Sequence, residues 1–164
     1  MTRTLATCVA TLLAAVAASA QTVTVQIPCA ADNTLYQDAA GSLSNGFGQF
    51  LFVGNNSSGL ARRALLSFDV AAAIPSRARI MDVQLTLGVT QTTAASPTQA
   101  KLHRVGAAWG ESASLAPGAE GGGGAALSGD ATWLHAQYPS TMWTNAGGDY
   151  VSTASSVADM PLVG

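Results

Sequence analysis

Three observations predict an all-β chain folded as a β-sandwich of jelly-roll type. Apolar and polar residues alternate over several short runs, the period of two that a half-buried strand requires. Clusters of Gly, Asn, Ser and Pro divide those runs at short intervals. No long stretch repeats its apolar residues at helical spacing.

The elements follow in chain order. Val23, Val25 and Ile27 alternate with Thr24 and Gln26, and Pro28 closes that run because it cannot donate to a ladder. A second short strand is expected at 34–37. Residues 39–48 carry turn chemistry, with Asn45-Gly46 as the signal. The apolar run 50–53 is closed by a loop at 54–59. Residues 63–70 read as the next strand, with Ala64, Leu66 and Phe68 on one face, and one helical turn fits 70–74 before Pro75. Val83, Leu85, Leu87 and Val89 interleave with Asp82, Gln84, Thr86, Gly88 and Thr90, making the clearest strand with one apolar and one wet face. A polar connection at 91–98 leads to a further strand at 100–105. Residues 21–112 thus form the sandwich core. Residues 113–129 are rich in Gly, Ala and Ser, with four consecutive glycines at 121–124, and read as a mobile loop of high chain entropy. A phosphate cradle is excluded there, since no Lys-Ser or Lys-Thr follows. Residues 130–164 continue the same domain with two of the three Trp and two of the three Tyr, and end at Leu162-Val163-Gly164 with no evident closing strand.

Residues 1–20 read as a secretory signal peptide. Arg3 is followed by a charge-free run at 5–18 and by Ala18-Ser19-Ala20, the small–x–small pattern of a cleavage site. That run is too short and too rich in alanine to cross a hydrocarbon core of about 30 Å. The expected product begins at Gln21, is secreted and has no transmembrane segment. It keeps six basic and nine acidic residues, a net charge of −3, which excludes nucleic acid as a partner because nothing would neutralise the phosphates. Charged residues make up 10% of the chain, against about 25% in ordinary domains, so uncharged polar side chains supply the surface. Cys29 is then the sole cysteine and forms no internal disulfide. With no basic neighbour to activate its thiol, it reads as a small, partly buried residue.

Asp32-Asn33-Thr34-Leu35-Tyr36, Gly46-Phe47-Gly48 and Leu51-Phe52-Val53-Gly54 follow one another in the order seen at the opening of bacterial secreted DNRLRE-type domains. Arg63 to Val70, Ile74-Pro75-Ser76, Ile80 and Val83-Gln84-Leu85 are similar to the core of that family. Leu102-His103-Arg104-Val105 with Trp109-Gly110-Glu111 resembles its next segment. The resemblance runs from about Asp32 to Glu111. It implies a jelly-roll sandwich outside the cell, related to disaggregatase repeats and to carbohydrate-binding modules, with polysaccharide or cell-surface components as partners. Members of the family continue with further strands beyond the Trp-rich region. On that comparison the sandwich here is C-terminally short and exposes unpaired strand edges.

Enzyme signatures such as a Gly-x-Ser-x-Gly elbow or His-Glu-x-x-His are missing, and a non-catalytic module is expected. The alternatives are a polysaccharide-active enzyme, or an accessory fragment of one, and a purely structural envelope or matrix domain. Glu111 close to Trp109 is the one hint of acid chemistry, and its second carboxylate would have to be Asp130 or Asp149. Trp143, Tyr138, Trp133 and Tyr150 are the candidate sugar platforms, with Trp143 expected at the surface and Trp109 in the core. Asp32, Asn33, Asp38 and Asp69 form a candidate structural calcium set. The competing reading of these four is that they cap turns with their own backbone. Arg62 and Arg63 could anchor an acidic glycan, although capping a sheet edge or pairing with an Asp is the default for such residues.

Overall fold

The computed structural model describes residues 21–163, so the signal-peptide reading lies outside the described residues. Among these residues the chain is β-structured, in small antiparallel sheets with one helical turn. β1 (Ala31–Tyr36) pairs with β4 (Ala61–Ser67), Ala31 opposite Ser67 and Tyr36 opposite Arg62. β3 (Gly54–Asn55) lies on the other edge of β4. β2 (Leu43–Ser44) pairs with β6 (Gly124–Ala125), β5 (Thr98–Leu102) with β9 (Ser156–Met160), and β7 (His135–Gln137) with β8 (Thr141–Met142). The helical turn expected before Pro75 is α1 (Val70–Ala73), whose amide at Ala72 is capped by the Asp69 carboxylate.

β1 organises the molecule because Asn33, Thr34, Leu35 and Tyr36 are all buried, so both faces of the strand are covered. On one side Leu35 joins Leu65, Ala131, Trp133, Ala136 and Trp143 in the apolar core. On the other, the Tyr36 ring lies 6.2 Å from that of Phe52, with the Arg62 guanidinium 5.3 Å away. The Tyr36 hydroxyl donates to the Glu120 carbonyl, and burial pushes its pKa up to about 12.

The core also contains a polar network. The Asn33 amide oxygen accepts from the backbone of Thr34 and Asn45, and its nitrogen donates to Ser44 Oγ, which in turn donates to the Ala131 carbonyl. The Asp130 carboxylate, fully buried, accepts from the amides of Ser112 and Leu127 at 2.7 Å each. These bonds satisfy irregular backbone that no sheet reaches, which is the condition for burying it.

Residues 113–129 differ from the mobile loop expected. Gly124 and Ala125 form β6, Ser114 and Ala116 bond to the turn at Asn45 to Phe47, and Glu120 closes a clasp. Glu120 adopts a left-handed backbone, φ 63°. Its carboxylate accepts from Asn45 Nδ2 and from the amides of Gln49 and Phe50 at 3.0–3.1 Å. The composition argument failed because two side chains, Ser114 and Glu120, supply the bonds that low side-chain content seemed to deny.

The clasp has a pH consequence. The Asn45 side chain is the main influence holding the Glu120 carboxyl below its ordinary pKa, against desolvation and with help from the amides of Gln49 and Phe50. A depressed folded-state pKa contributes stability in full above the unfolded value, about 4.3 for glutamate, and loses it as pH falls through the lower folded value. Glu120→Gln, which turns an NH2 group toward donors, should lower Tm at pH 7, and the deficit relative to the parent should shrink below pH 4. Calorimetric melts from pH 7 to pH 3 check this; a deficit that stays constant would remove the charge from the account.

Strand boundaries elsewhere also differ. Residues 23–27 and 83–89 make no ladder, and the run 50–53 leads into β3 without being a strand itself. Val23, Val83 and Leu87 are 70%, 78% and 60% exposed, against the half-burial their alternation predicts. The missing closing strand is present as β9. Its ladder with β5 extends past Leu102: Val105 faces Tyr150, and the Gly106 amide donates to the Asp149 carbonyl. Between Leu102 and Val105 the returning strand holds three extra residues, a bulge that bends the ribbon at Tyr150.

Candidate functional site

The four oxygen-bearing residues proposed to hold calcium do not converge. Asp69 caps α1 beyond the Ser67 end of the β1–β4 pair, and Asp38 follows the opposite end, where its carboxylate accepts from the Ser42 amide. Six strand residues separate those ends, about 20 Å. Asn33 is buried and spent on Thr34, Ser44 and Asn45. Asp32 is the next residue along the strand and therefore points to the other face. Local capping explains Asp38 and Asp69, whose short carboxylates close onto nearby backbone, while Asn33 is committed to partners distant in sequence.

The aromatic candidates divide in two. Trp143, expected at the surface among Thr, Asn and Gly, is 5% exposed and donates its indole N–H to the Thr132 carbonyl at 2.9 Å. Trp133 is likewise in the core. The polar neighbours of Trp143 in sequence are loop residues that leave it, and they do not report its burial. Tyr138 is half-buried, edge-on to His135 at 5.1 Å. Tyr150 alone of the four is exposed, at 44%. Trp109 is partly buried against the core, in keeping with its expected place.

Tyr150 sits in a built surround. The His103 ring meets it edge-on at 5.0 Å, and His103 Nδ1 lies 2.9 Å from the Val151 carbonyl. Beneath it lies Arg63, whose guanidinium carbon is 5.1 Å from the Tyr150 centroid and 5.0 Å from that of Trp133. Arg63 Nη1 donates to the Gly147 carbonyl at 2.6 Å, which fixes the guanidinium between the two rings. Gly147 has φ 85°, and a Cβ there would fall 2.6 Å from Arg63 Nη1, so the close approach requires glycine. Lys101, exposed, stands in β5 opposite Val157. The neighbouring loop is held by Asp149, whose carboxylate accepts from the amides of Thr144 and Asn145 and is thereby held below the usual carboxylate range.

This arrangement combines an exposed ring with one guanidinium at a fixed position. Arg62 and Arg63 neither cap an edge nor pair with a carboxylate: both lie against aromatic faces and donate to loop carbonyls. Sequence reading offered Arg63 as a possible glycan anchor, set behind edge capping or pairing with an Asp, and did not connect Arg63 or His103 with Tyr150. Their proximity to Tyr150 depends on the bulge and on the loop at Gly147, and neither feature has a local signature beyond the glycine pair at 147–148.

The two carboxylates weighed as partners of Glu111 are each engaged by backbone amides. Asp130 is fully buried with its carboxylate committed to two amides, and Asp149 is committed to its own loop. Burial pushes the Glu111 carboxyl up; the Asp32 amide pulls it back, and the charges of Asp32 and Asp130 raise it further. Asp32 is also raised, by burial. A shallow hollow lined by Ala31, Ser67, Ala107, Ala108 and Trp109 opens beside Asp32 in the chain.

Comparison with known protein families, curated proteins and solved structures found no match.

Proposed function

We propose that this chain is a secreted, non-catalytic β-sandwich module of the DNRLRE type that binds an anionic polysaccharide at the Tyr150 surface. The observation that carries the reading is the exposed Tyr150 ring supported by Arg63 and met edge-on by His103. A sugar ring stacks its C–H face on a flat aromatic, and a carboxylated or sulfated sugar is also drawn to the guanidinium beside that ring. The ring is held from below, so little side-chain entropy is lost on binding. Export follows from the signal-peptide reading of residues 1–20, and the order of motifs from Asp32 to Glu111 supports the family.

Affinity electrophoresis through gels containing a polyuronate or a neutral glucan tests it. The polyuronate should retard the parent chain, less so as salt rises. Tyr150→Ala should weaken retardation about tenfold, equivalent to about 1.4 kcal/mol, while Tyr150→Phe retains most of it. Absence of retardation by any polysaccharide would favour the purely structural reading. Equal retardation of Tyr150→Ala and parent would place binding elsewhere.

A further inference from the structure

We propose that residues 82–90 are a self-complementary strand through which two copies of this chain pair antiparallel. The segment belongs to no strand, all of it but Val89 is exposed, and among the described residues no backbone–backbone hydrogen bond engages 79–97. Its apolar side chains, Val83, Leu85 and Leu87, stand in solvent at 78%, 39% and 60% exposure. It also lacks the usual protection of an open edge. Asp82 is its only charge, and it contains neither Lys nor Pro.

A second copy fits because the order of residues is symmetric about Thr86. Antiparallel pairing centred there sets Val83 opposite Val89 and Leu85 opposite Leu87, each twice, and Thr86 opposite its own counterpart. All these apolar pairs fall on one face, where cross-strand β-branched and aliphatic contacts stabilise a ladder. Asp82 falls opposite Thr90, so no like charges meet. The contact is isologous, the same segment serving both copies. It uses none of the residues named for the Tyr150 surface, so its failure and that of the polysaccharide reading are separable.

Sedimentation velocity and amide exchange of chain 21–164 across a hundredfold concentration range test the pairing. The expected result is a monomer–dimer equilibrium, with protection at 82–90 that rises with concentration. Leu85→Asp/Leu87→Asp places Asp opposite Asp twice and should abolish the dimer. Leu85→Lys/Leu87→Asp places Lys opposite Asp twice and should restore it, which a merely apolar patch would not do. Circular dichroism melts of the monomeric variants should stay close to the parent, since neither Leu85 nor Leu87 belongs to the buried core. A monomer at every concentration, protection independent of concentration, an open-ended series of oligomers, or no rescue by the Lys/Asp variant would each overturn the proposal.

Discussion

Trp143→Ala should destabilise the domain by about 3–5 kcal/mol, the range for removing a buried large aromatic from a packed core. Two losses combine. The ring is 5% exposed within the cluster of Leu35, Leu65, Ala131, Trp133 and Ala136, so its removal leaves a cavity. Its indole N–H also serves the Thr132 carbonyl, which would be left buried without that donor. Urea denaturation should show an earlier midpoint with unchanged slope. Trp143→Phe keeps most of the apolar volume and should cost only about 1–2 kcal/mol. A wild-type midpoint for Trp143→Ala would mean that the ring is a surface feature, as its sequence neighbours suggest. At temperatures where the variant remains folded, the binding proposed at Tyr150 should persist, because Trp143 is buried in the core.

Asn33→Ala should cost about 3 kcal/mol, with a similar fall in midpoint. The side chain is fully buried in the middle of β1 and serves the Thr34 and Asn45 amides and Ser44 Oγ together. Truncation strands these groups where no water reaches, and each unsatisfied group costs about 1–3 kcal/mol. Asn33→Asp is the informative control: it keeps the acceptor for both amides but removes the donor to Ser44 and adds a charge. It should be destabilised at pH 7 and recover as the pH is lowered and its carboxyl becomes protonated. Equal stability of Asn33→Ala and the parent would show that the amides find other partners.

The all-β class was legible because alternation and turn residues are local properties. β1, β4, α1 and β5 stand within a few residues of their expected places, since each is a short run bounded by turn or capping residues. Burial was less legible. The segment at 83–89 has the best strand pattern in the chain and the least burial, because alternation states which face could be covered and not whether a partner exists. Conversely, Trp143, Glu120 and Asp130 stand in loop-like sequence yet are buried, through contacts with residues far away along the chain. The polar residues first grouped as a cation site illustrate the same limit. Asp32, Asn33 and Asp38 are close in sequence, but strand alternation separates the first two and strand length removes the third. At the proposed binding surface, Tyr150 was identifiable as a candidate from its type alone, while the placement of Arg63 against it depends on the fold.

The proposed function depends most on Tyr150 being an exposed platform supported by Arg63. Titration of the isotopically labelled chain 21–164 with a short uronate oligosaccharide, followed by NMR, addresses it directly. The predicted result is a set of saturable shifts confined to Tyr150, His103, the Arg63 side chain and Gly147, with the Trp143 indole signal unmoved. Shifts that cluster instead at Tyr138 or around Trp109, or no shift at millimolar oligosaccharide, would contradict it.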